Sequence, residues 1–243
     1  QSGATVTRGD AAIDQGLRSY MLSVYNYMAG GLAITGIVAY LAFQMAVVEA
    51  PDGSLALTQI GTTLYTSALK WVVMLAPLGL VFYLSARISS MSVSAAQISF
   101  WVFAGLMGLS LSSVFLIYTG GSITQTFFVT AIAFGGLSLY GYTTKRDLTA
   151  MGSFLIMGVI GLIVASLVNI FLQSSALQFA VSVLGVLIFA GLTAYDTQKI
   201  KEMYYVGDAA ATAAKKAIMG ALSLYLDFIN MFMFLLQFLG NRR

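Results

Sequence analysis

The chain has 243 residues, of which 59% are hydrophobic and only 9% charged, with a formal charge of +3. Soluble domains carry about 25% charged residues, so a water-soluble globular fold is excluded, and the scattered cations form no basic patch for nucleic acid. Cys and His are both absent, which removes disulfides, thiolate metal sites, Cys nucleophiles, His acid–base catalysis and the commonest zinc ligand. Any pH sensing near neutrality then falls to carboxyl groups that hold a proton.

Residues 1–20 read as a polar, mobile N-terminal tail. The first apolar run, Met21 to Val48, is too long for the roughly 7–15-residue core of a cleavable signal peptide. A spanning helix needs about 20 apolar residues, and seven candidates follow one another at 21–48, 71–87, 98–118, 123–142, 151–172, 177–196 and 217–239. Glu49, Pro51, Asp52 and Gly53 read as an exposed turn. The uncharged stretch from Ile88 to Thr144 is divided by Thr119-Gly120-Gly121-Ser122. The one from Leu148 to Tyr195 is divided by Gln173-Ser174-Ser175. The fold class expected is all-α, a polytopic membrane protein with seven transmembrane helices. Its parts are a tail at 1–20, one seven-helix domain at 21–239 and a short C-terminal tail at 240–243. Abundant Gly, with Ala, Ser and Thr in every span, favours close helix packing in a compact bundle.

Nine cations fall on the side of the N terminus: Arg8, Arg18, Arg87, Lys145, Arg146, Lys199, Lys201, Lys215 and Lys216. Three fall on the other: Lys70, Arg242 and Arg243. The positive-inside rule then sets the N terminus in the cytoplasm and the C terminus outside. The expected location is integral to a membrane. The partners expected are membrane lipid, with the basic loop from Lys199 to Lys216 able to touch its anionic headgroups, and no nucleic acid.

Asp227 is the only charge in the run Ala217 to Leu239. A central Asp costs about 2.5–3.5 kcal/mol on translocon scales, and such residues usually mark proton or ion pathways. Ser223 at i−4 and Asn230 at i+3 share its helical face and extend it into a polar stripe that suits a pore lining. Asp196 ends the preceding apolar run, as GLTAYDTQKIK. It lies about 27 Å along the helix from Gln178, whereas Asp227 lies about 15 Å in from Ala217, at 1.5 Å per residue. Spacing alone leaves the two acids at different depths. Arg87 closes a short second span and either snorkels to the interface or is drawn toward an acid.

Several membrane classes do not fit. No lysine in the last span could hold retinal, and a rhomboid-like serine protease needs His. Intramembrane aspartyl proteases carry Tyr-Asp on one span and Gly-x-Gly-Asp on the next. Tyr195-Asp196 matches the first, but Asp227 follows Leu224-Tyr225-Leu226, and the only prolines are Pro51 and Pro77. The chain is not expected to be an enzyme.

The segments GLTAYDTQKIK and ALSLYLDFINMFMFLLQFLG resemble the last two helices of the Bax inhibitor 1 family (transmembrane Bax inhibitor motif proteins), in its bacterial branch. The order of seven spans, the Arg87 end of span two and the Asn169-containing fifth span are similar too. The resemblance covers nearly the whole chain and is most specific from Ala221 to Leu239. It implies six helices surrounding a central C-terminal helix and a pH-sensitive calcium leak channel. It also implies that Asp196 and Asp227 form a hydrogen-bonded, pH-sensing pair that gates the cytoplasmic side, with Arg87 as the counter-charge that takes over Asp196 on opening. Two close carboxyl groups in a low-dielectric site cannot both ionise cheaply, so such a pair responds to protons as a unit.

Ca²⁺ enters this picture as the permeant ion, held only transiently by Asp196 and Asp227 with Asn230, carbonyls and water, since it prefers six to eight oxygens. No cofactor is expected. One departure is that relatives can carry a further acid in span two, where this chain reads MLAPLGL. A second class of function is a regulatory, accessory membrane subunit that binds a membrane protease or another membrane complex without transport of its own.

Overall fold

The structure is a computed structural model that describes the backbone of residues 3–51 and 54–243, and side chains from residue 14 onward apart from 52 and 53. Arg8, Asp52 and Gly53 lie outside the described side chains. In chain order the elements are α1 (Gly3–Ala46), β1 (Val47–Glu49), β2 (Leu55–Leu57), α2 (Gln59–Thr66), α3 (Leu69–Arg87), α4 (Val93–Leu111), α5 (Val114–Ile117), α6 (Gly120–Thr143), α7 (Thr149–Leu172), α8 (Ser175–Glu202) and α9 (Ala210–Leu239).

Seven segments are long and apolar enough to cross a membrane: Asp14–Ala46, Leu69–Arg87, Val93–Ile117, Gly120–Thr143, Thr149–Leu172, Ser175–Glu202 and Ala210–Leu239. All seven expected spans are present, and several helices run past the apolar stretches that announced them. Residues 3–20, read as a mobile tail, continue α1 as helix. The stretch has no Pro, and the helix runs through its three glycines, Gly3, Gly9 and Gly16. At the other end α1 stops at Ala46, where Val47, Val48 and Glu49 pair antiparallel with Leu57, Ala56 and Leu55. β-Branched residues before a Pro-containing turn favour strand over helix. The connection between the first two spans therefore holds a hairpin and the short α2.

Local capping explains the breaks. Thr119 accepts a hydrogen bond from Ser122 N and caps α6, so Gly120 and Gly121 open that helix. Ser174 caps α8 through Leu177 N, and Ser92 caps α4 through Ala95 N. Each hydroxyl satisfies an amide that the first helical turn would leave unpaired.

The chain divides into two compact units. One holds the residues up to Tyr118, Tyr204–Leu222 and Arg243; the other holds Thr119–Met203 and Ser223–Arg242. In the first unit α4 packs closely on α1 and α3, and the Thr35 hydroxyl donates to Ala104 O at 2.8 Å across the α1–α4 crossing. Lys216 pairs with Asp208 at 2.6 Å, Lys215 Nζ donates to Ser89 O at 2.9 Å, and the Tyr20 and Tyr204 rings lie 5.7 Å apart. These contacts tie down the connection into α9. In the second unit α8 packs closely on both α6 and α7.

Burial is uneven among the spans. In α9 61% of the most apolar window is buried, against 33% or less in every other span and 6% in Thr149–Leu172. Leu222, Leu224, Tyr225, Met231 and Leu236 of α9 are almost fully buried, whereas Phe171 of α7 is 88% exposed. The α7 surface is thus the one best suited to lipid, and α9 the one best suited to an interior.

Candidate functional site

The candidate site lies in the second unit, on facing parts of α8 and α9. α8 is held against its neighbours by close backbone approach and by buried polar ties. At Gly141 of α6 a Cβ would fall 2.2 Å from Ala194 O, and at Gly152 of α7 one would fall 2.5 Å from the Tyr195 ring. Only glycine permits both approaches. Between them they fix the two residues that precede Asp196.

The polar ties continue past it. Thr193 and Thr197 are fully buried. Their hydroxyls donate back along α8 to Phe189 O at 2.8 Å and to Thr193 O at 2.7 Å, and Thr197 Oγ1 also meets Ser138 Oγ of α6 at 2.9 Å. Gln198 clamps the α6–α7 connection from both sides of its amide. Its Oε1 accepts from Leu148 N at 2.8 Å, and its Nε2 donates to Arg146 O at 2.8 Å. Lys201 Nζ donates to Tyr142 O at 2.7 Å and lies over the Tyr142 ring. Lys199 lies over the ring of Tyr195, 5.8 Å from its centroid. Buried polar groups are costly unless paired, and Thr193, Thr197 and Gln198 each have a hydrogen-bond partner.

α9 brings the second acid. Phe228, next to Asp227, packs edge-on against Phe134 and Phe127 of α6, with centroids 5.4 and 5.5 Å away. Further along, Phe234 stacks on Phe189 of α8 at 5.9 Å. These aromatic contacts fix the rotation of α9 and turn Asp227 inward, where it is 4% exposed.

Asp196 is half-buried, and its carboxyl lies within hydrogen-bonding reach of the Asp227 carboxyl. An ionised carboxylate only accepts hydrogen bonds, so a bond between the two requires one proton on the pair. The Oδ2 atom of Asp227 is buried and has no hydrogen-bond partner among the described residues. Asp196 also feels the charge of Lys199, so Asp227 is one of two charged groups that face it.

The flanking stripe is only partly engaged. Ser223 and Asn230 are half-buried, and the Asn230 amide donates to Leu226 O of its own helix at 2.8 Å. Arg87 is exposed at the last residue of α3. Its carbonyl accepts from Ser90 and Met91, and its side chain forms no ion pair among the described residues. No three acidic, His or Cys side chains converge as a metal site among the described residues. The pair offers a cation two carboxyl groups, with other oxygens left to carbonyls and water.

Sequence reasoning singled out both acids but passed over Ser138, Thr193, Thr197 and Gln198. The Thr193–Thr197 spacing of four, inside the same TAYDTQ stretch as Asp196, was the available signal of a buried polar face. Ser138 carries no such signal among the many small polar residues of its span.

Seven apolar helices, two of which bring a carboxyl pair together, define a polytopic α-helical integral membrane protein. The family described as "Inhibitor of apoptosis-promoting Bax1" matches residues 17–243, and the chain belongs to this Bax inhibitor-1 family. Among similar proteins, RP147 of Rickettsia prowazekii is 49% identical over 98% of this chain and 96% of its own. A Caulobacter vibrioides protein is 51% identical over 97% and 94%. The inner membrane protein YbhL of Escherichia coli is 47% identical over 94% of each chain.

Proposed function

We propose that this protein is a pH-sensitive calcium leak channel gated by Asp196 and Asp227. The observation that carries the reading is the pairing of two carboxyl groups from different spans, one of them 4% exposed. Holding one proton, the pair is a strong hydrogen bond that joins α8 to α9. When that proton leaves, two like charges face each other in a site with little water, and the pair separates. A two-state element biased by protons is what a gate requires.

In this reading Arg87 is the counter-charge for Asp196 in the open state, and its exposed position leaves it available. Ser223 and Asn230 line the path. Ca²⁺ passes as the permeant ion and meets the carboxylates transiently. The membrane is a bacterial inner membrane, in keeping with the name of the Escherichia coli relative. The charge asymmetry of the loops supports a cytoplasmic N terminus. The reading includes α9 as the enclosed helix, supported by its burial.

The test is Ca²⁺ flux into liposomes that contain only this protein. Flux should rise with pH. A stoichiometric membrane partner found in mild detergent, together with no flux, would favour the regulatory-subunit reading instead.

A further inference from the structure

Two turns beyond the aspartate pair, α8 and α9 meet again. Phe234 lies seven residues after Asp227, and Phe189 lies seven residues before Asp196. Each ring therefore stands about 10 Å along its helix from its own acid, on the same face. The two rings stack, with centroids 5.9 Å apart and planes inclined by 25°. Phe189 is buried. The Phe234 ring seats against Gly185 of α8, where a Cβ would fall 2.5 Å from it. Further along the same seam Ser182, 2% exposed, donates to Gln178 O at 2.8 Å and lies 3.2 Å from Gln237 Oε1. The seam between the two helices thus holds an acid pair, then an aromatic pair, then a polar pair.

The aromatic pair separates two polar zones. On one side are the carboxyl groups, with Asn230 half-buried on the turn between Asp227 and Phe234. On the other side a cavity of about 520 Å³ opens among α7, α8 and α9, and Phe234 forms part of its wall. Its polar lining is Ser166, Asn169, Gln173, Gln178 and Gln237, a set that can hold water. Every lining residue is neutral, so a cation would cross this space without being trapped in it. Apolar side chains that meet between two wet zones close a path by excluding water.

We propose that Phe189 and Phe234 form a dry constriction of the ion path, in series with Asp196 and Asp227, and that the cavity beyond them is its aqueous vestibule. The inference rests on the leak-channel reading for the identity of the ion, whereas the constriction itself concerns water. Both barriers ride on the same two helices, so a separation of α8 from α9 that parts the carboxyl groups parts the rings as well.

The chain has no cysteine, so a single Asn230→Cys, one turn inward of Phe234, reports wetting without any ion flux. A cationic, membrane-impermeant thiosulfonate is added to proteoliposomes at acidic pH, where the carboxyl pair holds its proton and the vestibule is the open approach. Modification should be slow with Phe234 in place. It should be at least about tenfold faster with Phe234→Gln, because a polar side chain admits water to an apolar constriction. Phe234→Met, close to Gln in size but apolar, should stay within about twofold of the Phe234 background because it keeps the constriction dry. Loss of packing alone would accelerate both. Phe189→Gln, on the facing helix, should repeat the acceleration, so a folding defect peculiar to one variant does not decide the result. Equal rates in all backgrounds, or equal acceleration by Gln and Met, would overturn the constriction. The expected thiol rates in liposomes that pass no Ca²⁺ would support the constriction and overturn the calcium reading.

Discussion

The carboxyl groups of Asp196 on α8 and Asp227 on α9 lie within hydrogen-bonding reach of each other, although one helix runs toward the 203–209 connection and the other away from it. The surroundings of the two acids are unequal. Asp227 is buried among aromatic contacts to α6, and Asp196 sits half-buried on a helix pinned at Ala194, Tyr195, Thr197 and Gln198.

The closest backbone approach in the site gives the first prediction. Gly141→Ala forces a Cβ to within 2.2 Å of Ala194 O, a backbone atom that cannot rotate away. The helices must separate, at a cost of about 1–3 kcal/mol. Gly136 lies on the same helix with nothing within 4 Å of its Cβ direction, and Gly136→Ala should be neutral or slightly stabilising. Thermal unfolding in detergent separates the two. Because Ala194 lies two residues before Asp196, Gly141→Ala should also alter the pH profile of flux.

Gln198 offers a second test. Replacing it with Ala removes two hydrogen bonds and strands the Leu148 amide, which sits in a buried residue. An unsatisfied buried donor costs about 1–3 kcal/mol. Hydrogen exchange at Leu148 should accelerate, while Gln198→Glu, which keeps the acceptor for Leu148 N, should protect that amide better than Ala does.

Asp147 gives a pH prediction with a defined sign. The hydroxyl and amide of Thr149 hold its carboxyl below the ordinary carboxylate range, with Thr149 N at 2.8 Å from Oδ1. A lowered value means that its contribution to the start of α7 is complete above the unfolded value of about 3.9 and fades only as pH falls through the lower folded value. Asp147 is therefore constant across the neutral range. Asp147→Asn should leave the flux–pH profile between about pH 5 and 8 unchanged. A shifted midpoint would move the sensor away from the aspartate pair.

The seven spans were legible in the sequence because membrane-length apolar runs separated by TGGS, QSS and charged loops admit few alternatives. Both acids stood out for the same reason, as charges at expensive positions. Their contact was not legible. Measuring depth from Gln178 and Ala217 assumed that apolar runs end where helices end. In the structure α8 continues to Glu202 and α9 begins at Ala210, so those residues mark no common plane. Helix rotation was equally hidden, since it is set by Phe228 against Phe127 and Phe134, a pairing between helices distant in sequence. The hairpin at 47–57 was obscured by its brevity, with three residues in each strand.

The aspartate pair itself is tested most directly by Ca²⁺ flux across pH in liposomes holding wild type, Asp196→Asn or Asp227→Asn. Asn can donate to the remaining carboxylate, so it preserves the bond between α8 and α9 and removes its dependence on a proton. The account predicts wild-type flux that rises with pH and, in both variants, flux that stays low with a flattened pH profile. Wild-type pH dependence retained in both variants would contradict it.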